Sequence, residues 1–158
     1  MVPITIFQVL LIISIVIYLS LNMIYLIRLY PVKEKLVTYP YISVCIPARN
    51  EERDIKKCVE SLLNQDYPNF EIIVVDDNSS DDTAKIVCSM LEEYSNLIFI
   101  AGAKLEPGWV GKSYALHQAY KKSRGQFFLF TDADLIYQPH AFKTAMQKMI
   151  SSDIDLLT

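Results

Sequence analysis

Apolar runs that each stop at a polar cluster constrain this 158-residue chain more than any other feature. Residues 41–46 stop at Pro47, residues 70–75 at Asp76, and residues 126–131 at Asp132. Short β-branched or aromatic runs bounded in this way read as buried strands. Between them the period changes. Residues 51–65 place Ile55, Cys58, Val59, Leu62 and Leu63 at helical spacing, with Asn50 as the expected N-cap. After Asp81 or Ser80 as a cap, Ala84, Val87, Cys88 and Leu91 share a second helical face. Residues 97–100 read as a short strand and 111–123 as a third helix. Residues 141–150 put Phe142, Ala145, Met146, Met149 and Ile150 on one face, and 153–158 read as a fifth strand just beginning. The order β-α-β-α-β-α-β-α-β predicts an α/β fold, with a mostly parallel sheet and helices on both faces. Ligands of such sheets bind beyond the carboxyl ends of the strands. The clusters at 47–52, 76–82 and 132–134 all fall there.

The chain divides before this pattern begins. No side chain from Met1 to Ile27 is charged, and a helix of that length exceeds the hydrocarbon thickness of about 30 Å. A cleaved signal peptide would carry a basic start and small residues at a cleavage site, and this segment has neither. Residues 1–30 are therefore expected to be one transmembrane helix, 31–40 a linker and 41–158 the folded part. Arg28, Lys33 and Lys35 put the C-terminal side in the cytoplasm by the positive-inside rule, and Tyr25 and Tyr30 suit the interfacial aromatic belt. Gln8 and Asn22 interrupt the apolar stretch, and Asn22 could face a partner helix. The expected location is a single-pass protein of the cell membrane with its domain in the cytoplasm.

Composition excludes several classes. With 52% apolar residues the chain is neither disordered nor a disulfide-rich miniprotein. Fifteen basic and eighteen acidic side chains, with no Lys/Arg run longer than two, give no basic stripe for nucleic acid. Cys45, Cys58 and Cys88 have neither the even count of a disulfide framework nor the C-x-x-C spacing of a zinc site. All three are expected to be buried, reduced thiols.

The polar clusters suggest chemistry. Asp132-Ala133-Asp134 directly follows a hydrophobic strand, and residues i and i+2 of an extended segment point the same way. Two such carboxylates suit a hard cation, Mg²⁺ or Mn²⁺, shared with substrate phosphates. Asp76 and Asp77 sit at a strand tip, where a carboxylate can accept hydrogen bonds from a base or ribose, while 80–83 serve mainly as turn and cap. Gly108-Trp109-Val110-Gly111-Lys112-Ser113 opens the third helix. Glycine, a helix N-terminus and Lys112 together favour a diphosphate, although the P-loop spacing fails. His117 and His140 are expected in surface or helix-end roles.

Taken in order, Val44-Cys45-Ile46-Pro47-Ala48-Arg49-Asn50-Glu51-Glu52, residues 71–83 and Thr131-Asp132-Ala133-Asp134 resemble the family 2 glycosyltransferases from about Ser43 onward. The 108–113 stretch is similar to members that glycosylate membrane lipids, such as carotenoid and hopanoid glycosyltransferases. The resemblance implies a Rossmann-like GT-A fold, a UDP- or GDP-sugar donor, a lipid acceptor and a divalent metal. It places Pro47, Ala48, Arg49 and Glu51 beside the nucleotide and Asp77 at the base. It puts Asp132 near the ribose, Lys112 near the base or phosphates, and Asp134, with Asp132, at the metal. Transfer would be inverting. The acidic general base of the family falls in a later half of the domain, so the chain is expected to supply the donor half. A nucleotide-sugar-binding module without chemistry is the alternative. A receiver domain misplaces the acidic pair, and a haloacid-dehalogenase-type phosphatase needs its D-x-D on an early strand.

Overall fold

The computed structural model describes residues 6–27 and 36–157, with side chains for 8–23 and 36–157. Arg28, Tyr30, Lys33, Lys35, Thr158, residues 31–35 of the expected linker and the side chain of Tyr25 lie outside the described residues. The chain forms two compact units, Met1–Lys33 and Glu34–Thr158.

The described part of the first unit is one helix, α1, Ile6–Ile27. Within it the Asn22 amide donates to the Tyr18 carbonyl at 2.9 Å and the Ser14 hydroxyl to the Leu11 carbonyl at 2.8 Å. One donor of each is thus bonded inside its own helix. Among the described residues no helix is long and apolar enough to cross a membrane.

The second unit contains β1 (Ile42–Ala48), α2 (Ile55–Leu63), β2 (Phe70–Asp76), α3 (Thr83–Met90), β3 (Leu97–Ala101), α4 (Gly111–Lys122), β4 (Phe127–Phe130) and α5 (Ala141–Ser152). The four strands form one sheet in the order β3-β2-β1-β4, and every neighbouring pair is parallel. Strand side chains alternate between faces, and the two faces have different covers. Val44, Ile46, Ile72 and Val74 pack with Ile55, Val59 and Leu62 of α2, Val87 of α3 and Phe142 and Met146 of α5. Cys45, Ile73 and Val75 pack with Ala115 and Ala119 of α4. The small alanines let α4 lie close to the strands. The chain steps from β1 outward to β2 and β3, then returns through α4 to the other side of β1. A right-handed crossover made in that reversed direction places α4 on the opposite face. The reversal beside β1 opens a crevice at the carboxyl ends of the strands.

Three sequence expectations change. No fifth strand forms among the described residues. Asp153 takes a left-handed conformation (φ 50°) and Ile154 N–H donates to Met149 O at 3.1 Å, a closure that ends α5 and turns the chain. Residues 154–157 then run without a ladder partner. Cys45 and Cys58 are buried, but Cys88 is exposed, because α3 turns Thr83, Val87 and Met90 inward instead. Asn50 does not cap α2, which begins at Ile55 after a turn in which Asp54 and Ile55 donate to the Glu51 carbonyl.

Candidate functional site

The crevice is a pocket of about 430 Å³ lined by four segments of chain. Pro47, Ala48, Arg49 and Glu51 come from the end of β1 and the loop after it, and Asp77 from just past β2. Gly111 and Lys112 come from the first turn of α4, and Asp132, Ala133 and Asp134 from the loop after β4. All eight residues singled out in the sequence meet here. Gly111 and Ala133 are additions. Ala133 is buried in the core while its neighbours Asp132 and Asp134 are exposed. Alternation thus persists past the end of β4 and turns both carboxylates outward together.

Asn50 holds the first wall in place from a left-handed conformation (φ 57°), which asparagine tolerates better than most residues. Its N–H donates to Ser79 Oγ at 2.9 Å and its Oδ1 accepts from Ser80 N–H at 2.8 Å. Glu51 N–H donates to Thr83 Oγ1 at 2.8 Å, Glu52 N–H to Asp81 Oδ2 at 3.1 Å, and Asp82 N–H to Glu52 Oε2 at 3.2 Å. The loops after β1 and β2 are therefore laced together. Asp81 also accepts from the N–H and hydroxyl of Thr83, at 3.0 and 2.5 Å, a turn just before α3, whose N-cap is Asp82 without a side-chain cap bond rather than the expected Asp81 or Ser80. Sequence reasoning read 80–83 as turn and cap but missed the cross-loop bonds, which depend on parallel neighbours.

Asp76 and Asp77 separate by strand alternation. Asp77 joins the pocket. Asp76 is buried on the α2–α3 face, where its Oδ2 accepts from Ser79 N–H at 3.3 Å and its Oδ1 has no hydrogen-bond partner among the described residues. The expectation that both acids can meet a nucleoside holds in position for Asp77 alone.

Charges within the pocket pair with one another. Arg49 Nη1 lies 3.5 Å from Asp77 Oδ2, and Lys112 Nζ lies 2.5 Å from Asp132 Oδ1. Partial burial, then the carboxylates of Asp134, Asp54, Asp81 and Asp132, push the Glu51 carboxyl above its ordinary value. Gly111 leaves room for Asp77, since a Cβ there would sit 2.6 Å from Asp77 Oδ2 and displace that carboxylate. The loop before α4 turns at Gly108 (φ 87°) and is pinned by Trp109, whose ring stacks on His117 at 4.7 Å. His140 begins α5 and pairs with Asp66 at 2.8 Å. Both histidines stay outside the pocket lining.

Behind the pocket, at the opposite end of the strands, Glu71 is fully buried. Its carboxylate accepts from Ser43 Oγ (2.7 Å), Arg124 N–H (2.7 Å) and the Arg124 guanidinium (3.0 and 2.7 Å). Burial alone would raise this carboxyl; the hydrogen bonds outweigh it and hold Glu71 below its ordinary value. The knot fixes the starts of β1, β2 and β4 relative to one another. Nothing in the sequence pattern singled it out.

The donor set fits a hard divalent cation. Asp132 and Asp134 offer two carboxylates. No group of three or more His, Cys, Asp or Glu able to hold a metal occurs among the described residues. Two protein carboxylates, with substrate phosphates completing the shell, is the usual Mg²⁺ arrangement. The N-terminus of α4, Lys112 and Arg49 supply positive potential for those phosphates.

Comparison with known proteins agrees with this geometry. The model of the family "Glycosyl transferase family 2" matches residues 43–157. Beta-monoglucosyldiacylglycerol synthase of Trichormus variabilis is 36% identical over 104 residues, covering 65% of this chain and 22% of that protein. The 4,4'-diaponeurosporenoate glycosyltransferase of Staphylococcus haemolyticus is 35% identical over 131 residues, covering 82% of this chain and 34% of that protein. The crystal structure of S. aureus TarS 1-349 in complex with UDP is similar with a TM-score of 0.59 and 31% identity, covering 70% of this chain and 32% of that one. The chain thus spans between about a fifth and a third of the length of these relatives.

Proposed function

Because the chain belongs to glycosyl transferase family 2, we propose that its pocket binds the nucleoside diphosphate of a sugar donor for transfer to a lipid hydroxyl. The observation that carries this reading is the convergence of Arg49, Glu51, Asp77, Lys112, Asp132 and Asp134 on one crevice. A parallel sheet brings them there from segments more than eighty residues apart.

In this reading Asp77 accepts an N–H of the base, and Pro47 and Ala48 pack beside the nucleoside. Asp132 reaches the ribose and, with Asp134, holds Mg²⁺ or Mn²⁺. When bound, the cation offsets negative charge on the diphosphate. Arg49, Lys112 and the α4 N-terminus act on that same charge. As the acceptor hydroxyl oxygen attacks the anomeric carbon from the opposite face, its proton passes to a general base outside the donor half, the bond to the diphosphate breaks and its electron pair stays on the leaving oxygen. Fixed positive groups beside that oxygen stabilise the charge where it develops. The anomeric configuration inverts.

Two observations support the lipid acceptor. The relatives named above include one whose name specifies diacylglycerol and one whose name specifies the carotenoid acid diaponeurosporenoate. The uncharged stretch from Met1 to Ile27 suits a single membrane anchor, with Arg28, Lys33 and Lys35 favouring a cytoplasmic domain.

Calorimetric titration of the purified chain with UDP and with GDP, in Mn²⁺, tests the donor reading. One of them is expected to bind, and Asp134→Asn to weaken that binding about tenfold or more, the scale of a lost metal contact. No binding of either nucleotide would remove the donor reading. Equal binding by Asp134→Asn would remove the metal.

A further inference from the structure

Lys112 has a second role that the family resemblance does not supply. We propose that it is a resident counter-ion of Asp132 which a divalent cation must displace, so that one side chain couples cation binding to diphosphate binding. This rests on the reading of Asp132 and Asp134 as the cation site.

The argument starts from charge. The pocket lining carries four carboxylates, Glu51, Asp77, Asp132 and Asp134, against two cations, Arg49 and Lys112. Both cations are engaged, Arg49 with Asp77 and Lys112 with Asp132 at 2.5 Å. The pocket therefore has a formal excess of two negative charges and would repel a diphosphate. A divalent cation cancels that excess. It also needs the oxygen that Lys112 holds, and Asp132 Oδ1 cannot be fully shared between an ammonium and a metal ion at bonding distance.

Geometry makes the exchange easy. Side-chain exposure is 62% for Lys112 and 52% for Asp132, so breaking the pair uncovers no buried charge and water takes up both groups. The Lys112 backbone is fixed in the first turn of α4, and its four-carbon stem lets the ammonium swing without moving the helix. Released from Asp132, the ammonium sits in the same pocket beside the helix N-terminus, free for phosphate oxygens. Each ligand thus improves the site for the other, and the coupling is reciprocal.

The test uses Mn²⁺ as probe, its free concentration followed by electron paramagnetic resonance in the full chain, with and without UDP or GDP. Removing the competing charge in Lys112→Met should tighten binding of Mn²⁺ alone, by about two- to fivefold for an exposed pair. The same variant should weaken nucleotide binding and shrink the factor by which nucleotide tightens Mn²⁺. Lys112→Arg, which keeps the charge, should restore weak binding of Mn²⁺ alone. Unchanged or weaker binding of Mn²⁺ alone by Lys112→Met, with binding still lost in Asp134→Asn, overturns the coupling and leaves the cation site standing. Mn²⁺ binding that ignores Asp134→Asn overturns the cation site and the coupling together. Circular dichroism of each variant confirms that it is folded.

Discussion

Replacing Gly111 with alanine separates stability from binding, because the two should move in opposite directions. Gly111 is the first residue of α4. Alanine is favoured over glycine in a helix by up to about 1 kcal/mol, and part of that gain applies at the first position. The added Cβ would stand 2.6 Å from Asp77 Oδ2, where ordinary contact begins at 3.4 Å. The carboxylate must retreat by about 0.8 Å, the difference between those distances. It has little free space, since the Asp77 side chain is only 15% exposed, and Arg49 lies on it at 3.5 Å. A displaced carboxylate would lose the hydrogen bond to the base proposed for it. A bond to a charged group contributes about 1.5–3 kcal/mol, equivalent to roughly ten- to a hundredfold in affinity. Thermal unfolding should therefore show Gly111→Ala at least as stable as the parent, while calorimetry shows weaker binding of the preferred nucleoside diphosphate. Asp77→Ala should lose a similar amount, and the double variant little more, since both remove one interaction. Affinity within twofold of the parent in a folded Gly111→Ala chain would refute the assignment of Asp77 to the nucleotide.

Two further outcomes follow from the fold and the N-terminal segment. Glu71→Gln leaves a buried amide where a carboxylate accepted four hydrogen bonds, and should cost about 2–4 kcal/mol in denaturant unfolding at pH 7. The folded carboxyl lies below its ordinary value of 4.5, so its stabilisation is complete above that pH and drains as the pH falls below it. The difference between parent and Glu71→Gln should accordingly shrink in acid, and a pH-independent difference would contradict this. Deleting residues 1–35 should move the chain from the membrane fraction to the supernatant of lysed cells; a deletion variant that still pellets with membranes would overturn the anchor.

The β/α order was legible because burial in a parallel sheet forces near-continuous apolar runs, and because amphipathic helices such as Ile55–Leu63 show their period directly. The pocket was legible for a related reason. Ligand groups of this architecture follow the strands, so Arg49, Asp77, Asp132 and Asp134 stand at positions a strand pattern locates. The misreadings have local causes. Asn50 carries a capping residue's composition, yet its φ of 57° and its bonds to Ser79 and Ser80 use it as a strap. The Cys88 position fits an apolar stripe, but an eight-residue helix at the sheet's flank buries only a narrow face. Residues 153–158 resemble a strand in composition, and strands exist only where a partner receives their hydrogen bonds.

By itself the sequence determined the alternation, the apolar segment at the start and the identity of the groups at each strand end, since these depend on residue type and spacing. Tertiary structure alone decided how those groups meet. The sheet order brings β4 beside β1, so Lys112 reaches Asp132. Alternation at the tip of β2 sends Asp77 into the pocket and Asp76 away from it. The Glu71 knot joins Ser43 and Arg124, 81 positions apart in the sequence numbering. Pairings over such separations arise from the geometry of packed strands, and no local pattern of residues encodes them.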